Sequence, residues 1–147
     1  LTQRRDTQPA SILLVDDDED ALLLLKRMLS SNDYEVLIAT SARQALRLLS
    51  EHNVKVVVSD QQMPGMSGVD FLQRVKSLFP DTVRVMLSGH TEFSTVSDAI
   101  NKGEIFRFLA KSWDKEQLRR DIREAFDVAV SGRGKLISIK GGRPTAA

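Results

Sequence analysis

Four places in the chain carry residue types that could do chemistry. They are Asp16-Asp17-Asp18, Ser59-Asp60, Ser88-Gly89 and Leu109-Ala110-Lys111. Each follows an apolar run. Taken singly they are ordinary: an Asp after a strand usually caps a helix, a Ser in a turn usually caps, and a Lys is usually solvated. Brought into one crevice they would behave differently. Clustered carboxylates repel one another unless a cation joins them. Oxygen donors without imidazole or thiolate suit a hard cation, Mg²⁺ first. Mg²⁺ on one or two carboxylates usually also meets a phosphate, and Lys and Ser are groups that hold phosphoryl oxygens. An Asp can itself take the phosphoryl group as an aspartyl phosphate. The residues therefore point to Mg²⁺-assisted phosphoryl chemistry on a carboxylate.

Elements must gather these groups. Ile12–Val15, Val36–Ala39, Val54–Val58, Val83–Leu87 and Ile105–Leu109 read as five strands. Most are nearly continuous in apolar residues, as expected for strands buried on both faces of a parallel sheet. Between them run helical patterns. Leu22, Leu25 and Leu29 share a face of the first, and Ala42, Ala45, Leu46 and Leu49 of the second. Phe71, Leu72, Val75, Leu78 and Phe79 line the third, which Pro80 stops. Phe93, Val96 and Ile100 line the fourth, with Gly103 placed to end it, and Leu118, Ile122, Ala125 and Phe126 line the fifth. Ser41 with Gln44, and Asp114 with Gln117, have capping-box spacing. The alternation is (βα)₅, an α/β class with an open, doubly wound, five-stranded parallel sheet. Its crevice lies at the carboxyl ends of the strands, where the four chemical segments fall.

The chain has 147 residues, enough for one domain, and 41% are hydrophobic, enough for a core. It has no cysteine and two histidines, which excludes disulfides, thiolate catalysis and histidine-rich metal sites. The formal net charge of +1 argues neither for nor against nucleic acid. The expectation is a cytoplasmic domain without direct nucleic-acid contact and without a membrane segment. Residues 1–10 read as a disordered N-terminal segment and 11–130 as the domain. Residues 131–147, rich in Gly and basic residues, read as a linker or tail, with a nucleic-acid arm the lesser alternative.

The segments Ile12-Leu-Leu-Val-Asp-Asp-Asp-Glu19, Val56-Val-Val-Ser-Asp-Gln-Gln-Met-Pro-Gly-Met-Ser-Gly68, Val85-Met-Leu-Ser-Gly89 and Phe108-Leu-Ala-Lys111 resemble the receiver domain of two-component response regulators. The resemblance runs from about Ser11 to about Val130. It implies a flavodoxin-like sheet with strand order 2-1-3-4-5. It implies Asp60 as phosphoacceptor, and Asp16, Asp17, Asp60 and the Gln62 backbone carbonyl as Mg²⁺ ligands. It implies Ser88 and Lys111 as the groups meeting the phosphoryl oxygens, Ser88 and Phe108 as the switch pair, and Gln62 and His90 as positions that tune hydrolysis. The implied partners are a sensor histidine kinase or phosphotransfer protein and an output domain or partner protein, which could follow in a longer parent chain. A homodimer through the face of the fourth helix, fifth strand and fifth helix is also implied. Such a domain is a switch that assists its own phosphorylation and hydrolysis rather than an enzyme.

One position departs from the pattern. Ser112 follows Lys111 where the family usually has a proline after a cis bond. A cis bond before Ser would cost ~2.5–4 kcal/mol, and a trans bond would place Lys111 differently. His90 could also be a plain loop residue, His52 reads as surface, and Trp113 reads as packing. Two other functions compete. A haloacid-dehalogenase-type phosphatase would use a nucleophile from Asp16-Asp17-Asp18, but gives Asp60-Gln-Gln-Met-Pro no role. A non-phosphorylated pseudo-receiver would act only by binding.

Overall fold

The first strand, β1 (Ser11–Val15), is buried at every residue, because helices cover both of its faces. The computed structural model describes residues 9–88, 97, 105–110 and 114–131. Within them β1 is followed by α1 (Glu19–Leu29), β2 (Glu35–Ala39), α2 (Ala42–Glu51), β3 (Val54–Ser59), α3 (Gly68–Leu78), β4 (Val83–Ser88), β5 (Arg107–Ala110) and α4 (Lys115–Ser131). The expected helical pattern around Phe93, Val96 and Ile100 lies outside the described residues, as do His90, Gly103, Lys111, Ser112 and Trp113. Among the described residues no helix is long and apolar enough to cross a membrane.

The strands form one parallel sheet in the order β2-β1-β3-β4-β5. The order and the parallel sense are those the resemblance implied. Alternation along each strand divides the core in two. Ile12 and Leu14 of β1 and Val56 and Val58 of β3 pack with Leu22, Leu25, Leu118, Ile122 and Ala125 beneath α1 and α4. Leu13, Val15 and Val57 pack with Ala45, Leu49, Phe71 and Val75 beneath α2 and α3, joined by Val54, which precedes the register shift in β3 and so breaks the alternation. Burying one such side chain contributes about 1.5–3 kcal/mol, so a charge at Val57 would remove that and face both β1 and α3.

The helix starts follow local chemistry. Ser41 Oγ accepts the Gln44 N–H (3.1 Å), and Asp114 Oδ2 accepts the Gln117 N–H (3.0 Å), so both expected caps form on the Ser/Asp side. The reciprocal half differs in each. Gln44 Oε1 accepts the N–H of Thr40 (2.9 Å), one residue before the cap, and Gln117 Nε2 turns to Asp121 Oδ1 (3.1 Å).

Three other details differ from the sequence reading. Leu78, expected on the core face of α3, is 59% exposed. It sits at the last turn, where the chain leaves through Phe79, whose N–H still reaches the Val75 carbonyl. The fifth strand begins at Arg107 rather than Ile105; Ile105 is buried in the loop before it, and the Phe106 N–H already bonds the Arg84 carbonyl of β4 (2.6 Å). The last helix runs through Ser131, the first residue of the segment read as a tail.

Two side-chain pairings tie α4 to the sheet. Arg107 of edge strand β5 is buried, with its guanidinium 3.4 Å from Asp121 and 2.6 Å from Glu124, and 5.2 Å above the Phe106 ring. Its Nε has no partner. At the other side Tyr34 stacks on Phe126, with centroids 4.4 Å apart and planes 13° apart. Burial raises the Tyr34 hydroxyl above its ordinary pKa, opposed by the charges of Arg119 and Arg123.

Candidate functional site

The site forms where β1 and β3 run out. Their ladder ends at the pair Val15 and Ser59. The Asp60 N–H then donates to the Val15 carbonyl (2.9 Å), and the Asp16 N–H donates to Ala39 of β2 (3.2 Å). These bonds carry the sheet's pairing just past its last strand residues and hold the two aspartates side by side. Asp16 Oδ1 accepts the Asp18 N–H (3.0 Å), which turns its carboxylate along the loop. Asp16 and Asp60 are 4% and 6% exposed, whereas Asp17 is open to solvent.

One carboxylate oxygen from each of Asp16, Asp17 and Asp60 lies within 4.8 Å of the others. Two oxygens that both ligate Mg²⁺ directly are at most about 4.2 Å apart, twice the usual Mg–O distance. The cluster thus needs at most a small contraction, or a bridging water, to surround such an ion. Three hard oxygen donors and no imidazole or thiolate fit a hard divalent cation. Asp18 is not part of this set. Its Oδ1 accepts the N–H groups of Asp20 (3.0 Å) and Ala21 (3.3 Å) and caps α1. Of the three consecutive aspartates, the third is therefore the ordinary capping residue.

The loop from Asp60 to α3 is held from within. The Gly68 N–H donates to the Gln61 carbonyl (2.9 Å), and the Val69 N–H donates to Gln61 Oε1 (2.9 Å). Ser67 Oγ accepts the Asp70 N–H (3.2 Å). Gly68 has no room for a side chain: a Cβ there would stand 2.2 Å from the Asp60 carbonyl oxygen and 2.9 Å from the Gln61 Cα. Gly65 has a different requirement, a φ of +85° with nothing within 4 Å of its would-be Cβ. Behind Asp60, the buried Ser59 Oγ donates to the Asp60 carbonyl (2.9 Å). Gln62 follows, with its side chain exposed.

Of the other expected residues, Ser88 ends β4, its backbone opposite Ala110 of β5, on the strand beside the one that ends at Asp60. Phe108 is half-buried and packs against the core beneath α2 and α3, from the edge strand that leads to Lys111. The structure thus brings Asp16, Asp17 and Asp60 together. Lys111 and His90 lie outside the described residues.

Sequence reasoning gave Gln61 no role and named Ser59 only as the neighbour of Asp60.

A profile of the response regulator receiver domain matches residues 12–123. The hydrogenase transcriptional regulatory protein HoxA of Bradyrhizobium diazoefficiens is 38% identical over 115 residues, which cover 78% of this chain and 24% of that protein. The chain spans about a quarter of the length of such curated relatives. Among solved structures, the signal receiver domain of an HD domain-containing protein from Pseudomonas fluorescens is similar at a TM-score of 0.79 and 38% identity, covering 86% of this chain and 93% of that one. A receiver domain protein from Clostridium thermocellum gives a TM-score of 0.74 at 32% identity, covering 80% and 94%. The same order of strands, the acidic cluster at their ends and these likenesses converge: the chain belongs to the response regulator receiver domain family.

Proposed function

We propose that Asp60 accepts a phosphoryl group from the phosphohistidine of a sensor histidine kinase or a phosphotransfer protein, and that the modified domain signals through a change of surface. The observation that carries this reading is the convergence of the Asp16, Asp17 and Asp60 oxygens within 4.8 Å of one another at the strand ends. A carboxylate oxygen of Asp60 forms the new O–P bond as the donor's N–P bond breaks and the imidazole leaves with the electron pair. Mg²⁺, held by Asp16, Asp17, Asp60 and the Gln62 carbonyl, would supply neutralisation of the phosphoryl charge. Ser88 and Lys111 take the remaining phosphoryl oxygens. Buried Asp16 and Asp60 stay fixed while exposed Asp17 faces the incoming donor.

Phosphorylation turns one negative charge at Asp60 into about two. Ser88 is drawn towards it, Phe108 turns inward into the space vacated, and the face that includes β5 and α4 changes shape. Gln62 and His90 flank the site and tune the hydrolytic water. The domain is a self-assisting switch rather than a turnover enzyme. It works in the cytoplasm, within residues 11–130, with residues 131–147 as a linker to an output domain or partner in a longer parent. The relative HoxA is a transcriptional regulatory protein, and a regulator of that kind is one parent this domain would serve. The face of the fourth expected helix, β5 and α4 also serves for pairing with a second copy.

The test is incubation with a small-molecule phosphodonor, with and without Mg²⁺, followed by intact mass. A Mg²⁺-dependent gain of one phosphoryl group, absent from Asp60→Asn, is expected. No gain in the native protein would replace this reading with a pseudo-receiver that only binds. Sustained turnover of a phosphomonoester would favour a phosphatase.

A further inference from the structure

The three leading amides of α3 point at the acceptor loop, and Gln61 satisfies two of them. Its backbone carbonyl accepts the Gly68 N–H (2.9 Å) and its side-chain Oε1 accepts the Val69 N–H (2.9 Å), while Ser67 Oγ takes the Asp70 N–H (3.2 Å). A helix start leaves such donors without intrahelical partners, so each bond is worth making. Ser67 does this locally, three residues away. Gln61 does it across the whole loop, from the residue bonded directly to Asp60. The absent side chain at Gly68 is what admits it, since the Gln61 Cα would lie 2.9 Å from a Cβ there. Gln61 is half-buried, and Met63 and Met66 of the same loop pack on the core beside it. The loop is thus closed by two bonds at one residue, and the peptide between Gln61 and Gln62 cannot rotate without breaking the one its carbonyl accepts.

We infer that Gln61 is a positioning residue for phosphoryl acceptance: its carboxamide sets the backbone between the Asp60 carboxylate and the Gln62 carbonyl. This rests on the reading of Asp60 as acceptor. A mere helix cap would contribute stability and nothing else. Ser67 supplies the matched control, because it caps the same helix without bonding to Asp60 or Gln61.

The experiment compares Gln61→Leu, which keeps the length and loses the acceptor, with Ser67→Ala. Tm, Mg²⁺ affinity by titration calorimetry, and the rate of labelling by a small phosphodonor are measured on each. Both variants should lose similar Tm. Gln61→Leu alone should weaken Mg²⁺ binding and slow labelling, each by about tenfold, given that ~1 Å of misplacement can cost ~100-fold. Ser67→Ala should change either by less than about twofold, as a cap that acts on stability alone would. Equal Mg²⁺ affinity and rate in Gln61→Leu and wild type would overturn the inference, as would equal losses in both variants. If wild type takes no phosphoryl group, the reading of Asp60 falls and the Mg²⁺ measurement alone decides Gln61.

Discussion

Replacing Gly68 with alanine probes the backbone on which the acceptor stands. The added Cβ would lie 2.2 Å from the Asp60 carbonyl oxygen, where ordinary contact begins at 3.4 Å, so about 1.2 Å must be found. The atoms in the way are backbone, and no side chain can swing aside. Moving them stretches both 2.9 Å bonds that Gln61 makes to the start of α3. Overpacking costs ~1–3 kcal/mol, each weakened hydrogen bond ~0.5–1.5 kcal/mol, and alanine's better helix propensity returns at most ~1 kcal/mol. A net loss of about 3 kcal/mol is expected, or roughly 10 °C in Tm for a chain of this size. Urea unfolding followed by circular dichroism measures it. The displaced peptide belongs to Asp60, so labelling by a phosphodonor should also slow by ~100-fold. Gly65→Ala is the control: its φ of +85° imposes strain of about 1–2 kcal/mol with no clash. A Gly68→Ala protein with wild-type Tm and labelling rate would refute the packing argument.

Three further outcomes follow from other contacts. Asp18→Ala should cost about 1 kcal/mol through loss of the α1 cap, with Mg²⁺ affinity by calorimetry changed little beside that of Asp17→Ala. Arg107→Met should cost about 1–2 kcal/mol in urea unfolding: partly buried Asp121 keeps its bond from Gln117, and half-exposed Glu124 is resolvated. Tyr34, with its pKa raised by folding, holds its proton more tightly when native. Its stabilising contribution is therefore complete below the ordinary value of 10.0 and is lost as pH rises through the native value. Thermal melts across that alkaline range should show a decline that Tyr34→Phe lessens.

Much of this was legible in the residues. The fully buried strands read as apolar runs, and Leu22, Leu25, Phe71 and Val75 took the core positions their spacing assigned. Asp60 was legible because its neighbours along the chain form a distinctive segment and its partners sit at other strand ends. Asp18 was not separable from Asp16 and Asp17 by type, because all three follow the same strand, and only the direction of α1 decides which one caps. Leu78 misled because helical spacing continues to the last residue of a helix while the core beneath it ends sooner. Gln61 was silent because its role depends on an approach of two backbones, which no pattern of side chains announces.

The neighbouring of β1 and β3 has a consequence in time. Asp16 and Asp60 are more than forty positions apart, and β2 with both its flanking helices is made between them. At about 5–20 residues per second of synthesis, several seconds separate the appearance of the two carboxylates. Parallel pairing of distant strands is slower to form than any local turn. A nascent chain therefore carries Asp16 and Asp17 for some time without the third carboxylate of their cluster. The three-carboxylate cluster therefore exists only once β3 has closed onto β1, so an unfinished molecule has no such site.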